Sequence, residues 1–303
     1  MTRPFQAPGH HALAGIALAL TAVACFAALD TTSKRVSAVL PVMMALWFRY
    51  LFQAVSTTVM VWPSRGRRIL RTAHPRFQLA RGALLFLCST FAFFSLKFMP
   101  VGEFTAVVMV TPLAVTLVAA TWTKEQVSVL RWLLVIGGFV GVLFIVRPTG
   151  DQGLGWAVLL PLGLVIANTG FQILTSKLAR LEDPITTHFY TGWVGALLGT
   201  VALPFAWAAV PSWHWWAALV FMGLMGTVGH FLLILAYQRA PTSVLTPYLY
   251  GQIAFAMLGG YLMFAHVPDA WALLGIGMVA VCGAMGAWLT VREGRVRLEP
   301  VES

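Results

Sequence analysis

The chain has 303 residues, 59% of them hydrophobic and only 10% charged, with a formal net charge of +10. A soluble domain averages about 25% charged residues, so this chain could not cover its own surface in water and needs lipid as solvent. Its basic residues sit in short gaps between apolar runs, as in the loops of membrane proteins, which speaks against a nucleic-acid partner.

A helix that crosses a bilayer needs about 20 mostly apolar residues. In chain order the sequence predicts ten such spans, over 13–33, 41–61, 79–98, 103–121, 130–146, 155–176, 186–207, 215–237, 243–264 and 270–291. The gaps hold Pro, Gly and charges, as in Pro63-Ser64-Arg65-Gly66, Arg147-Pro148-Thr149-Gly150 and Glu182-Asp183-Pro184. None of them has room for a soluble domain. The runs are continuously apolar rather than alternating, which predicts helices and not barrel strands. Pro112, Pro161, Pro204 and Pro247 fall inside spans, and membrane helices tolerate this where neighbours satisfy the freed backbone groups. Arg3 and the apolar run reaching Ala22-Val23-Ala24 imitate a secretory signal with its cleavage site. That run also belongs to an internal repeat, so it is expected to stay. Cys25, Cys88 and Cys282 all lie in apolar runs and are expected as small buried residues, not as a disulfide or a metal site. No metal or cofactor is predicted.

Orientation follows from Lys and Arg. With an even number of spans both termini share a side. That side holds Arg3, the five arginines of 65–76, Lys124, Arg131, Lys177, Arg180, Arg239, Arg292, Arg295 and Arg297, which makes 14. The other side holds Lys34, Arg35, Lys97 and Arg147, which makes 4. The bias predicts a multi-pass protein of the inner (cell) membrane with both termini cytoplasmic.

Three matches recur in the same order. Thr32-Ser33-Lys34 followed by Pro41 returns as Thr175-Ser176-Lys177 followed by Pro184, at an offset of 143. The stretch from Phe94 to Pro100 parallels that from Leu235 to Pro241, at 141. Leu133-Leu134-Val135-Ile136-Gly137 parallels Leu273-Leu274-Gly275-Ile276-Gly277, at 140. Collinear matches point to duplication. Each copy holds five spans, an odd number, so the second enters the bilayer from the opposite side. The expected fold class is an all-α membrane protein with ten transmembrane helices in two inverted five-helix repeats, over 1–148 and 149–303. Inverted repeats are an architecture of secondary transporters, because the two copies can exchange conformations and so alternate access to a site between them.

The chain resembles the drug/metabolite transporter superfamily, EamA type, over essentially its whole length. The resemblance rests on the lysines closing the first span of each repeat (Lys34, Lys177), on Pro41 with Arg49-Tyr50, on Phe94…Pro100 leading into Thr111-Pro112, and on the stretch from Gly229 to Tyr237. That last stretch, with Val267-Pro268-Asp269-Ala270-Trp271, is similar to a branch associated with riboflavin or S-adenosylmethionine uptake. The resemblance implies an acid after the ninth span, where this chain has His266; Glu125 holds the matching place in the first repeat. If that acid helps to seal a gate, the two halves seal differently.

An ionisable or amide group inside a membrane is costly and therefore a candidate functional residue. Asp30 and Lys34, four apart, share a helix face; Asp30 is either an acid in the solute path, able to bind a cation or proton, or half of an intrahelical ion pair. Arg49 lies deep in the second span and either binds a carboxylate or phosphate on the solute or pairs with Asp30. Arg81 is expected to snorkel to the interface. Asn168 and Gln172 share a face with Thr175 and predict cavity lining or interhelix bonds. His230 and Tyr237, seven apart, share a face, and His230 suits either proton coupling or a structural hydrogen bond. Tyr248 and Gln252, with Tyr250, would make a polar aromatic wall for a flat solute. Trp213, Trp215 and Trp216 beside His214 read as an interfacial belt. Gly137-x-x-x-Gly141 permits close helix contact within a monomer or across a homodimer, and the 65–76 loop should face anionic headgroups.

Three function classes compete. A channel would need a filter or ring motif. A membrane-embedded enzyme would need H-E-x-x-H, G-x-S-x-G or paired carboxylates. Neither signature is present, nor is an ATP-binding loop. The expectation is a secondary transporter for a small organic solute, with proton or other ion coupling left open. The alternatives are a membrane-embedded enzyme or a structural membrane protein.

Overall fold

The computed structural model describes residues 10–122, 129–146, 155–178, 181–239, 245 and 248–296. The described residues are helical, without strands. The helices are α1 (His10–Ser37), α2 (Val42–Arg65), α3 (Pro75–Phe98), α4 (Val101–Val108), α5 (Thr111–Trp122), α6 (Val129–Val146), α7 (Leu159–Leu178), α8 (Pro184–Ala202), α9 (Trp213–Arg239), α10 (Gly251–Phe264) and α11 (Ala270–Val296). By length and apolarity alone, three segments among the described residues can cross a bilayer: Leu13–Ser37, Pro75–Phe98 and Trp213–Ala236.

The fourth predicted span is not continuous. Pro112 has no N–H to give, and its ring clashes with the carbonyl four residues back. The chain therefore tightens at Met109 and Val110, where the Val110 N–H turns to Val107 O (3.1 Å). The stranded Val108 carbonyl takes the Thr111 hydroxyl at 2.7 Å. A new helix then starts, with Leu113 and Ala114 both donating to Val110 O. Pro161 is absorbed differently, three residues into α7 and just after a 3-10 turn, Gly155–Val158. Pro247 lies outside the described residues.

Polar side chains inside the helices are largely satisfied locally. Thr31, Thr32, Ser33, Thr58, Thr90, Ser95, Thr169, Thr191 and Thr200 each donate to the carbonyl four residues earlier. Such back-bonding removes a free hydroxyl where no water is available.

Burial is inverted relative to a soluble protein. Val59 (66% exposed) and Ile166 (75%) lie outside, while Arg49 (2%), Gln53, Gln78, Arg81 (8%), Glu103 and His188 are buried. The apolar exterior suits lipid, and the interior is where polar groups meet. One apolar core gathers Leu29, Leu46, Tyr50, Ala54 and Met222 among α1, α2 and α9; another gathers Val107, Val135, Ile253 and Val279 around α4, α6, α10 and α11.

Helix α1 packs against α9 and α10, α7 against α3, α4 and α5, and α2 against α8 and α9. Helix α3 also packs on α8, α4 on α10, and α6 on α11. The α6–α11 contact is a backbone approach: a Cβ on Gly275 would collide with the Gly141 carbonyl, and one on Gly141 with the Gly275 carbonyl. Glycine is required at both places, and the Gly141 half of the G-x-x-x-G motif thus packs within the chain.

Candidate functional site

Asp30 and Lys34 share a face of α1 but form no ion pair. Lys34 Nζ instead donates to Leu96 O and Met99 O, both at 2.8 Å. Helix α3 ends at Phe98, so the carbonyls of its last turn have no intrahelical partners, and a cation there also meets the negative end of the helix dipole. Asp30, left free of Lys34, accepts from Gln252 Nε2 of α10 at 3.3 Å.

Arg49 does not pair with Asp30 either. Its guanidinium lies over the Tyr50 ring, 4.1 Å from the centroid, and donates to Ser89 Oγ of α3 at 2.5 Å. Tyr50 OH shares that hydroxyl at 2.8 Å. The Arg49 Nε is buried with no partner. Gly226 of α9 faces this head group, and a Cβ there would meet Arg49 Nη1 at 3.4 Å and Leu29 at 3.6 Å, an ordinary contact. Asp30 and His230 both lie within electrostatic range of Arg49. His230 itself stands against the Phe26 ring, centroids 4.8 Å apart. Asp30, Arg49, Gln252 and His230 therefore converge from four helices.

The remaining predicted residues are placed elsewhere. Asn168 Nδ2 reaches Thr111 Oγ1 at 3.4 Å, tying α7 to the start of α5. Gln172 is half-buried one turn further on. The expected wall of Tyr248, Tyr250 and Gln252 does not form. Tyr248 is 40% exposed, and the Tyr250 ring is pressed against Gly283 of α11. Tyr250 caps the start of α10 with helical dihedrals, φ −63° and ψ −18°. The side chain of Tyr237, and all of Glu125, lie outside the described residues.

Arg81 corrects the snorkelling expectation. It is buried, with Nε donating to Thr175 Oγ1 of α7 at 2.8 Å and Nη1 to Thr191 Oγ1 of α8 at 2.5 Å. Its guanidinium covers the Phe171 ring at 4.7 Å. One turn before it, Gln78 Nε2 donates to Thr187 Oγ1 at 3.1 Å, and Gln53 Nε2 contacts His188 Nδ1 at 3.4 Å. The available signal was Gln78 and Arg81 at spacing three, which puts two polar groups on one face of an apolar helix. Gln53 Oε1, Gln78 Oε1, His188 Nε2 and Thr227 Oγ1 are buried without partners. Such groups are rare in a finished interior and call for an explanation.

Both ends of the bundle carry a histidine–glutamate pair. At the Lys34 end, the left-handed turn at Ala265 (φ 50°) closes α10 and brings His266 Nε2 to 2.7 Å from Glu103 Oε1. Glu103 Oε2 is buried and unpartnered. At the opposite end, Glu182 Oε1 accepts from Thr72 Oγ1 (2.7 Å) and the His74 N–H (2.9 Å), and stands 3.1 Å from His74 Nδ1. Beside it Asp183 caps α8 by accepting from Ile185 N and Thr186 N, and pairs with Arg65 at 2.7 Å. Burial pushes both carboxyls up, yet the bonds from Thr72 and His74 hold Glu182, and those from Arg65 and the α8 backbone hold Asp183, below the ordinary value.

Comparison with known proteins finds likenesses to membrane transporters. Residues 13–147 match the EamA-like transporter family. A riboflavin transporter of Vibrio cholerae is 26% identical over 299 residues, covering 95% of this chain and 98% of its own length. An S-adenosylmethionine uptake transporter of Rickettsia felis is 26% identical over 265 residues, covering 87% of this chain and 88% of itself. A crystal structure with 19% identity superposes with a TM-score of 0.65 over 94% of this chain and 99% of that one, a likeness in fold alone.

Proposed function

From the premise that residues 13–147 form an EamA-like transporter unit, and that the chain is an integral membrane transporter like its near full-length relatives, we propose that it moves a small organic metabolite across the inner membrane by alternating access. In this reading ten spans form two inverted units, 1–148 and 149–303, with both termini cytoplasmic.

The packing supports the inverted pair. Exchange α1 with α7, α2 with α8, α3 with α9, α4–α5 with α10, and α6 with α11. The contact α1–α9 becomes α7–α3, α1–α10 becomes α7–α4 and α7–α5, and α2–α9 becomes α8–α3, all of which are packed pairs. The contacts α2–α8, α4–α10 and α6–α11 map onto themselves. A two-fold axis in the membrane plane has this effect.

The observation that carries the reading is that buried polar groups join the two units. Gln252 of the second unit reaches Asp30 of the first, and Arg81 of the first reaches Thr175 and Thr191 of the second. Polar contacts at a repeat interface can be remade in another arrangement, and a solute held between them is exposed to one side at a time. The relatives named for riboflavin and S-adenosylmethionine both carry a fused nitrogen heterocycle with a polar chain. A metabolite of that kind is the proposed cargo class.

The test is uptake by proteoliposomes of labelled flavins, nucleosides, amino acids and S-adenosylmethionine, with and without a proton gradient. Saturable uptake of one class is expected. Asp30→Asn then asks whether that acid couples a proton: gradient dependence should disappear if it does. A second arm joins Glu103→Cys with His266→Cys. Oxidising that pair should stop transport by locking one end, and undiminished transport in the cross-linked protein would exclude rocking.

A further inference from the structure

We propose that the solute carries a carboxylate or phosphate group and that Arg81 receives it, with Arg49 as a second cation further along the path. The inference rests on the transporter reading of the interior and adds the charge of the cargo.

Arg49 and Arg81 are buried in the interior, and neither is hydrogen-bonded to an acid among the described residues. Among the described residues no carboxylate forms an ion pair with Arg49 or Arg81. Asp30 accepts from Gln252 and is in electrostatic range of Arg49, but is not bonded to it. Glu103 is engaged by His266 at one end, and Glu182 and Asp183 are engaged by Thr72, His74 and Arg65 at the other. A buried cation without a counter-charge is strongly unfavourable in a low-dielectric interior, and a fold keeps one there for a use. Arg81 is the clearer case, because the groups around it are hydroxyls, rings and imidazoles rather than acids.

Its surroundings fix the guanidinium without neutralising it. Thr175 and Thr191 take Nε and Nη1, and the Phe171 ring covers one face. Two bonds from two helices define the plane of the fork. The second amino group donates to none of the described residues and is left for an anionic oxygen, and a charge-assisted bond of this kind is how arginine holds a carboxylate or phosphate oxygen. Thr175 and Phe171 beside it are half-buried. His188 and His230 lie within range of Arg81 and present no negative charge. His188 Nε2 and Arg49 Nε are further buried polar atoms without a hydrogen-bond partner among the described residues.

Matched solute pairs that differ in one anionic group test this directly. Riboflavin against its 5′-phosphate, adenosine against its 5′-monophosphate, and benzamide against benzoate would be compared by equilibrium binding and thermal stabilisation of the purified protein in nanodiscs. In the native chain the anionic member of at least one pair is expected to bind more tightly by about tenfold or more. Arg81→Gln should erase that preference, read as the ratio of anionic to neutral affinity within the variant, and Arg81→Lys should restore part of it. Thr191→Val, which keeps the charge and loosens its hold, should reduce the preference without erasing it. The proposal falls if the neutral member binds as well in the native chain, if no anionic member binds, or if Arg81→Gln keeps the preference. The native-chain comparison stands even if Arg81→Gln fails to fold. Saturable uptake of neutral riboflavin by native proteoliposomes, with no competition from its 5′-phosphate, would leave transport in place and remove only the anionic cargo.

Discussion

The two histidine–glutamate pairs occupy opposite ends of the bundle and are built to different standards. In each the glutamate is buried and the histidine is about one-third exposed: 9% and 37% at the Glu103–His266 pair, 5% and 35% at the Glu182–His74 pair. Glu182 is held by a hydroxyl, a backbone N–H and an imidazole from one ordered loop. Glu103 is hydrogen-bonded among the described residues by His266 alone, with Lys34 in electrostatic range, and its other oxygen is buried without a hydrogen bond. A fully satisfied carboxylate rigidifies its surroundings, whereas a half-satisfied one is costly and easily exchanged. The Glu182 end is thus a clasp built into the loops, and the Glu103 end is a contact that can be given up.

Glu182→Ala should give the largest loss of stability. It removes three acceptor contacts from a buried side chain, and a bond to a charged group contributes about 1.5–3 kcal/mol net, of which water entering the vacated place recovers part. A net loss of about 2 kcal/mol is expected, read as a lower melting midpoint in detergent. The pH sign follows from the depressed carboxyl. A group whose folded pKa lies below its unfolded value stabilises above the unfolded value, about 4.3, and loses that contribution as pH falls through the folded one. The native chain should therefore lose stability on acidification below about pH 4, and Glu182→Ala should lose less.

Glu103→Gln sharpens the contrast. It exchanges one contact with a one-third-exposed imidazole for another and replaces the buried charge by a neutral amide, so its cost should be at most about 1 kcal/mol. Its effect should appear in transport, because the contact it weakens closes one end. Equal stability losses for Glu103→Gln and Glu182→Gln would break the comparison.

Much of the bundle was legible because lipid imposes a one-dimensional rule on the sequence. Apolar runs of sufficient length must be helices, and the described helices fall where those runs were read. The break at Met109–Val110 was also written there, in Pro112, but the continuous apolar run hid it. Interior contacts were less legible because spacing along one helix says which face a residue shares and not what lies opposite. Asp30 and Lys34 are correctly spaced, yet the free carbonyls of Leu96 and Met99 outcompete the carboxylate. Arg81 sits six residues from the start of α3, a depth from which an arginine could reach the interface; α7 and α8 close over it instead, with Thr175 and Thr191 waiting. Only the fold supplies those partners.

The smallest expected effect separates two roles of Asp183 within the clasp. Its carboxylate caps α8 through Ile185 N and Thr186 N, and it also pairs with Arg65. The side chains of that pair are 38% and 44% exposed, so salt and water screen it and its worth is near zero. An N-cap exchanged for alanine costs about 1 kcal/mol, while asparagine caps as well as aspartate. Asp183→Ala should accordingly lower the melting midpoint by the equivalent of about 1 kcal/mol, and Asp183→Asn should leave it nearly unchanged at physiological salt. A large loss in Asp183→Asn that high salt reproduces in the native chain would mean that the ion pair, and not the cap, holds this end, and the clasp would then be electrostatic rather than a matter of hydrogen-bonded geometry.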